Sequence, residues 1–292
     1  MTKNGLFPRQ GLSELELAEI FQLADQCDTY ENIQLKLNRD MLRSRSTNET
    51  NDFLFYHDDQ LVGFLGIYIF RSTEAECCGM VHPDFRRKGI FTVLVKEALE
   101  ECTNRQIPKV LFISHNRSQA GKAFCQSIGA TYSFSEYWMD WKEGSRNVAY
   151  RDDISLVTAS LEDVDTLVAL DVSGFNLEEK DAREYVLYNF GKKSDTTTLI
   201  AILDNQPIGK INVLVENNKA FIYGFSVAPD LRGRGYGRQI LNQTIDRLLQ
   251  KQIQEIALDV AAENKNALAL YQSCGFHETG ANEYYVINCL SK

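Results

Sequence analysis

Residues 227–238 read Val227-Ala-Pro-Asp-Leu-Arg-Gly-Arg-Gly-Tyr-Gly-Arg238. An apolar run precedes them, a proline breaks it, three alternating glycines follow, and Gln239–Leu249 then sets Ile240, Leu241, Ile245, Leu248 and Leu249 at helical spacing. The order is strand, glycine loop, helix. Such a junction suits an anion, because the first N–H groups of a helix have no internal partner and carry the positive end of its dipole. Glycines let several N–H groups converge on one phosphate, and Arg232, Arg234 and Arg238 add charge. The spacing Gly233-x-Gly235-x-Gly237 is neither the Gly-x-Gly-x-x-Gly of a dinucleotide fold nor a nucleotide-triphosphate loop, which would end in Gly-Lys-Ser/Thr. A glycine turn with no ligand is the alternative.

The same stretch occurs twice. Val81, Pro83, Asp84, Arg86 and Gly89 return 146 residues later as Val227, Pro229, Asp230, Arg232 and Gly235, half of the 292-residue length away. Gln60 and Gly63 return as Gln206 and Gly209, and Ala123, Gln126, Ser127 and Gly129 as Ala269, Gln272, Ser273 and Gly275. An offset this long and this constant marks a duplicated module, each copy large enough for its own core.

Each copy reads as a mixed α/β unit. Helices are expected over Leu15–Ala24 and Leu161–Val172, the second preceded by a strand at Ile154–Val157 and the first by a weak one at Leu6–Phe7. Hairpins are expected where Asp52–Tyr56 and Gln60–Phe70 flank His57-Asp58-Asp59, and where Thr198–Leu203 and Pro207–Val215 flank Asp204-Asn205. Ala220–Val227 leads into the loop; Glu255–Ala261, a helix over Asn266–Ser273 and a last strand, Tyr284–Leu290, follow. The polar stretch Lys142–Asn147 reads as a linker, so the modules are expected over 1–143 and 154–292, joined by 144–153.

Forty acidic against 31 basic residues give a net charge of −9, which disfavours a nucleic-acid partner and mildly favours a cationic one. Met1–Gln10 lacks a basic segment followed by an apolar run, and no stretch approaches a membrane span, so neither a secretory signal nor a membrane partner is expected. Seven cysteines without a Cys-x-x-Cys pair support neither a disulfide framework nor a metal site, and a reducing cytoplasm is the expected home.

Arg232-x-x-Gly235-x-Gly237 after Val-x-Pro resembles the acetyl-CoA pyrophosphate loop of the GCN5-related N-acetyltransferases. Asn264, then Asn266-Ala-Leu-Ala-Leu-Tyr271-Gln-Ser-Cys-Gly-Phe276, resembles that family's Asn-x-x-Ala-x-x-x-Tyr-x-x-x-Gly-Phe pattern. The likeness covers both halves and is similar to the mycothiol synthase-like two-module acetyltransferases. It implies two tandem modules, each a central mixed, mostly antiparallel sheet flanked by helices. The implied reaction is direct acetyl transfer from acetyl-CoA, without a metal, to a small-molecule or peptide amine. The second copy would do the work: Arg232, Gly233, Arg234, Gly235, Tyr236 and Gly237 gripping the pyrophosphate, Phe225 and Val227 offering backbone groups, Asn264 bonding the cofactor and Tyr271 acting as general acid. Read from spacing alone, Tyr271 is better taken as a core tyrosine on an amphipathic helix, and Asn264 almost as readily as a helix cap.

The general base stays open between Tyr223, a water chain, Asp259 and Glu283. In the first copy Cys125 stands for Tyr271 and Phe91 for Gly237, so that module is expected to be catalytically weakened. Its Glu74 and Glu76 read as a strand face, and His115 as a loop histidine. A non-catalytic CoA-binding or scaffolding protein is the alternative function.

Overall fold

The computed structural model describes residues 2–144, 153–191 and 195–289. The expected linker therefore lies largely outside the described residues. In chain order the elements are β1 (Gly5–Arg9), α1 (Glu14–Glu31), α2 (Arg39–Arg43), β2 (Asp52–His57), β3 (Gln60–Arg71), β4 (Glu74–Val81), α3 (Ile90–Asn104), β5 (Lys109–His115), α4 (Gln119–Ser127) and β6 (Thr131–Trp141). The second series is β7 (Ile154–Thr158), α5 (Val164–Phe175), α6 (Glu179–Asn189), β8 (Thr196–Leu203), β9 (Gln206–Glu216), β10 (Lys219–Val227), α7 (Tyr236–Gln250), β11 (Glu255–Ala261), α8 (Lys265–Ser273) and β12 (Phe276–Asn288).

Local chemistry explains the boundaries. Ser13 caps α1 in a capping box with Glu16, and Ser160 forms the same box with Asp163 before α5. Both hairpins turn on residue pairs with positive φ, Asp58-Asp59 and Asp204-Asn205, the backbone that a two-residue hairpin loop requires. Helix α7 buries Ile240, Leu241, Ile245 and Leu248, the face its spacing predicts. The short α2, the amphipathic α6 and strand β6 were not foreseen, and β12 begins at Phe276, well before the expected Tyr284.

The chain forms two compact units, and they are not two contiguous halves. One holds the residues up to Phe134 together with the segment from Asn282 onward; the other runs from Ser135 to Ala281. In the first unit the strands lie in the order β1-β2-β3-β4-β5-β12, and in the second β6-β11-β10-β9-β8-β7. The last strand of each sequence copy has been exchanged. β12 pairs with β5, Asn282 opposite His115 through Asn288 opposite Lys109, while β6 pairs with β11, Glu136 opposite Ala261 through Asp140 opposite Ala257. The contiguous modules expected over 1–143 and 154–292 thus differ from the compact units by these strands. Met139 and Trp141 from β6 belong to the core of the second unit, and the Trp141 indole N–H donates to the Cys274 carbonyl at 3.2 Å.

All neighbouring strand pairs within each unit are antiparallel except β4–β5 and β10–β11. In the second unit α7 and α8 cover one face over a core that includes Ile211, Ile222, Ile240 and Phe276. Helices α5 and α6 cover part of the other over a smaller cluster of Leu167, Val168, Ala182, Val186 and Ile200.

Candidate active site

The glycine loop of the second unit hangs between the end of β10 and the start of α7. A single 3-10 turn over Pro229–Leu231 follows the strand, and Gly233 and Gly235 then take φ of +75° and +89°. No heavy atom lies within 4 Å of a Cβ built on either glycine, so the loop presents bare backbone. Gln239 is the first residue of α7 to donate into the helix, to the Gly235 carbonyl, which leaves the N–H groups of Tyr236 to Arg238 at the helix mouth. The Tyr236 side chain itself is buried in the core. Arg232 braces the loop: its Nε donates to the Val227 carbonyl at 2.9 Å and its guanidinium reaches the Gly174 carbonyl at 3.4 Å. Arg234 is exposed, and Arg238 donates to Ser273 Oγ at 3.1 Å.

Beside the loop the sheet opens. β10 and β11 pair in parallel only from Lys219–Glu255 to Ile222–Leu258, although both strands continue. The gap is shaped by a bulge. Register with β9 jumps between Tyr223 and Ser226, and Gly224 sits inside the jump with φ of +54°. A Cβ at Gly224 would stand 2.6 Å from Asn212 Nδ2, so both backbone and space demand glycine. The bulge takes Gly224 and Phe225 out of the ladder at the inner end of the gap. Phe225 and Val227 pack their side chains on the α7–α8 core.

Tyr271, in α8, is the one predicted catalytic side chain, and it is 9 % exposed. Its ring centroid lies 6.4 Å from that of Phe225 and 6.2 Å from that of Phe276. Burial, and after it the Asp259 carboxylate, raises its pKa, so the phenol keeps its proton throughout the neutral range. Asn264 caps α8, its Oδ1 accepting from the Ala267 N–H at 3.1 Å. Of the bases considered, Tyr223 is engaged with Thr196 Oγ1 at 2.6 Å and Asn189 Oδ1 at 3.2 Å. Glu283 pairs opposite Ser114 in the first unit, where Lys122 and Tyr285 bind it, both at 2.7 Å, so it does not belong to the second unit's site. Asp259 stands on β11 one residue past the last β10–β11 pair.

The first unit repeats this frame with different residues. β4 and β5 also separate, after Cys77–Phe112, but β4 stays in register with β3 through Cys78, Gly79 and Met80, so no bulge forms. Cys78 occupies the place of Gly224. Phe91 and Gly79 have traded roles with Gly237 and Phe225: the phenylalanine hangs from the helix and the glycine lies in the strand. A Cβ on Gly79 would meet Phe91 at 2.9 Å, and Phe91 packs edge-on to Phe124 at 4.8 Å. Cys125 is buried and its thiol pushed up to about 11 by that burial, so it is not a nucleophile. Arg86 bonds the Val81 carbonyl as Arg232 bonds Val227, but it also pairs with Glu31 at 2.5 Å. Arg232 has no carboxylate partner among the described residues. Gly224 against Cys78 was legible in the sequence and missed; a glycine inside a strand pattern is the usual mark of a bulge.

Among the described residues no group of three or more His, Cys, Asp or Glu is placed to hold a metal ion, and no helix is long and apolar enough to cross a membrane. Comparison with known proteins gives the frame a family. The family model described as Acetyltransferase (GNAT) family matches residues 17–129 and again 164–276. The chain belongs to the GNAT family, in tandem. A curated GNAT relative, the [ribosomal protein bS18]-alanine N-acetyltransferase of Salmonella typhimurium, is 37% identical over 68 residues, 23% of this chain and 46% of that protein. The chain thus spans about half the length of the first such relatives. The mycothiol acetyltransferase of Clavibacter sepedonicus is 24% identical over 243 residues, covering 78% of this chain and 77% of its own. In three dimensions the chain resembles a GCN5-related N-acetyltransferase from Sphaerobacter thermophilus, with a TM-score of 0.78 at 17% identity over 100% of this chain and 98% of that one. A tandem GNAT protein from the clavulanic acid biosynthesis pathway gives 0.76 at 16% identity, over 98% and 99%.

Proposed function

We propose that the second unit transfers the acetyl group of acetyl-CoA to a primary amine, and that the first unit serves as a non-catalytic scaffold. The observation that carries this is the coincidence, in the second unit alone, of the strand gap, the glycine bulge and a bare glycine loop at the mouth of α7. The residues fit the group: Gly233 and Gly235 leave open space, the N–H groups of Tyr236 to Arg238 lie at the helix mouth, and Arg232 adds charge that no carboxylate among the described residues cancels. When bound, acetyl-CoA would supply an acyl thioester open to attack by an amine.

The chain's part is to hold and polarise. The open edge of β10 past Ile222 can accept an extended amide arm as it would another strand. Backbone N–H groups at the Gly224–Phe225 bulge, outside the ladder, are placed to stabilise negative charge growing on the acyl oxygen. Tyr271, held protonated, donates to the leaving sulfur. Asp259, beside the gap, is the candidate to take the proton of the incoming ammonium.

Tyr271→Phe tests the assignment. We expect thiol release from acetyl-CoA in the presence of an amine to fall about 100-fold in kcat, with cofactor affinity by calorimetry within about twofold. Unchanged turnover would remove Tyr271 from the mechanism, and CoA binding without thiol release for any amine would favour a binding protein.

A further inference from the structure

On β6 the residues Glu136, Trp138 and Asp140 share one face, opposite to Met139 and Trp141 in the core. Trp138 lies across from Asp259, and its ring stacks on that of Phe221 at 5.1 Å and 24°. Phe221 stacks in turn on Tyr223 at 6.3 Å, and Tyr185 closes edge-on at 6.5 Å. The Trp138 indole N–H donates to Asp140 Oδ1 at 3.0 Å, which fixes the ring. All four aromatics are half-buried. An aromatic row thus crosses the second unit's sheet face beside the gap, with carboxylates at Asp259, Asp140 and Glu136 on the same face.

The first unit shows what such a position holds. The 146-residue offset carries Trp138 to Tyr284, and strand register agrees: Tyr284 pairs with Ile113 as Trp138 pairs with Asp259. There the chain's own ammonium meets the hydroxyl end of the ring. Lys36 Nζ donates to the Tyr284 hydroxyl at 2.6 Å, 5.3 Å from the ring centroid. It lies close enough to Cys78, the counterpart of the bulge glycine, for its charge to act on that thiol. In the second unit Asp259 stands where Ile113 does, and the ammonium on the row is that of Lys210, 5.6 Å over the ring of Tyr185 and paired with buried Asp171, so the Trp138 end of the row has no cation over it among the described residues.

We propose that Trp138, with Phe221 and Asp259, binds the alkylammonium group of the acceptor, so that a strand from the first sequence copy sets the substrate preference of the second unit. The proposal rests on the acetyl-transfer reading for the word acceptor, though not for the cation site itself. A ring face attracts a desolvated cation, and Asp259 supplies the opposite charge at one side. An amine that carries its own carboxylate would meet Asp259, Asp140 and Glu136 as like charges. The ligand class is therefore a simple alkylamine or diamine, not an amino acid.

The test uses the full chain with butylamine, 1,4-diaminobutane and 4-aminobutyrate as acceptors, and tetramethylammonium as a cation that cannot be acetylated. Tetramethylammonium should compete with the amine but not with acetyl-CoA, and should bind the CoA complex in calorimetry. Trp138→Leu should raise the KM for butylamine about tenfold and abolish the calorimetric response to tetramethylammonium, while Trp138→Tyr, the residue of the first unit, should restore most of both. Both amines should be preferred to 4-aminobutyrate. Equal use of 4-aminobutyrate, or an amine KM unmoved by Trp138→Leu, would overturn the proposal. A Trp138-dependent cation response without turnover for any amine would keep the site and overturn the acetyl-transfer reading instead.

Discussion

At the scale of single residues the second unit carries a buried charge pair where the first carries hydrocarbon. Lys210 Nζ lies 2.6 Å from Asp171 Oδ2, the two side chains are 1% and 0% exposed, and Phe64 occupies the place of Lys210 in the first copy. Burial lowers the pKa of Lys210 and raises that of Asp171, each pulled back by its partner. Removing one partner strands the other, so Lys210→Met should cost about 3–5 kcal/mol in chemical denaturation, whereas Lys210→Met with Asp171→Leu should recover most of it. Asp28, in α1, gives a pH signature. Burial pushes its carboxyl up to about 6, against the pull of the Leu35 N–H that donates to it. The folded state therefore takes up this proton before the unfolded chain does, and the group's contribution to stability rises as pH falls from above 6 to about 4. Asp28→Asn keeps an acceptor for Leu35; it should raise Tm at pH 7.5 and lose that advantage by pH 4.

At the scale of elements, the loop and helix of the two units show one volume filled in two ways. In the second unit the ring comes from the strand as Phe225 and the helix contributes Gly237, whose Cβ would meet Leu270 at 3.1 Å. In the first the ring comes from the helix as Phe91 and the strand contributes Gly79. Gly237→Phe alone should overpack this junction by about 1–3 kcal/mol. The exchange Gly237→Phe with Phe225→Gly should recover stability in urea titrations, as the first unit does, yet leave CoA binding by calorimetry weakened, because the ring then hangs from the first turn of α7 beside the loop.

At the scale of the whole molecule the exchanged strands make the chain's ends matter in an unexpected place. Ending the chain at Ala281 removes residues that close the second copy in sequence but pair with β5 in the first unit. Hydrogen exchange should then show lost protection over Lys109–His115 while Glu255–Ala261, paired with β6, stays protected; loss in β11 instead would contradict the exchange.

The duplication, the family, most elements and the loop were legible in sequence because each rests on short-range chemistry: glycines where φ is positive, a capping box at Ser13, helical spacing in α7. Gly224 and its bulge were equally local and simply went unread. The destination of β6 and β12 was not legible. Both are final strands of two copies of one module, and nothing within a few residues of Trp138 says whether its neighbour will be Ile113 or Asp259. That choice belongs to non-local strand pairing, and only the tertiary structure makes it: Glu283 goes to the first unit, and Trp138 comes to stand beside the gap of the second.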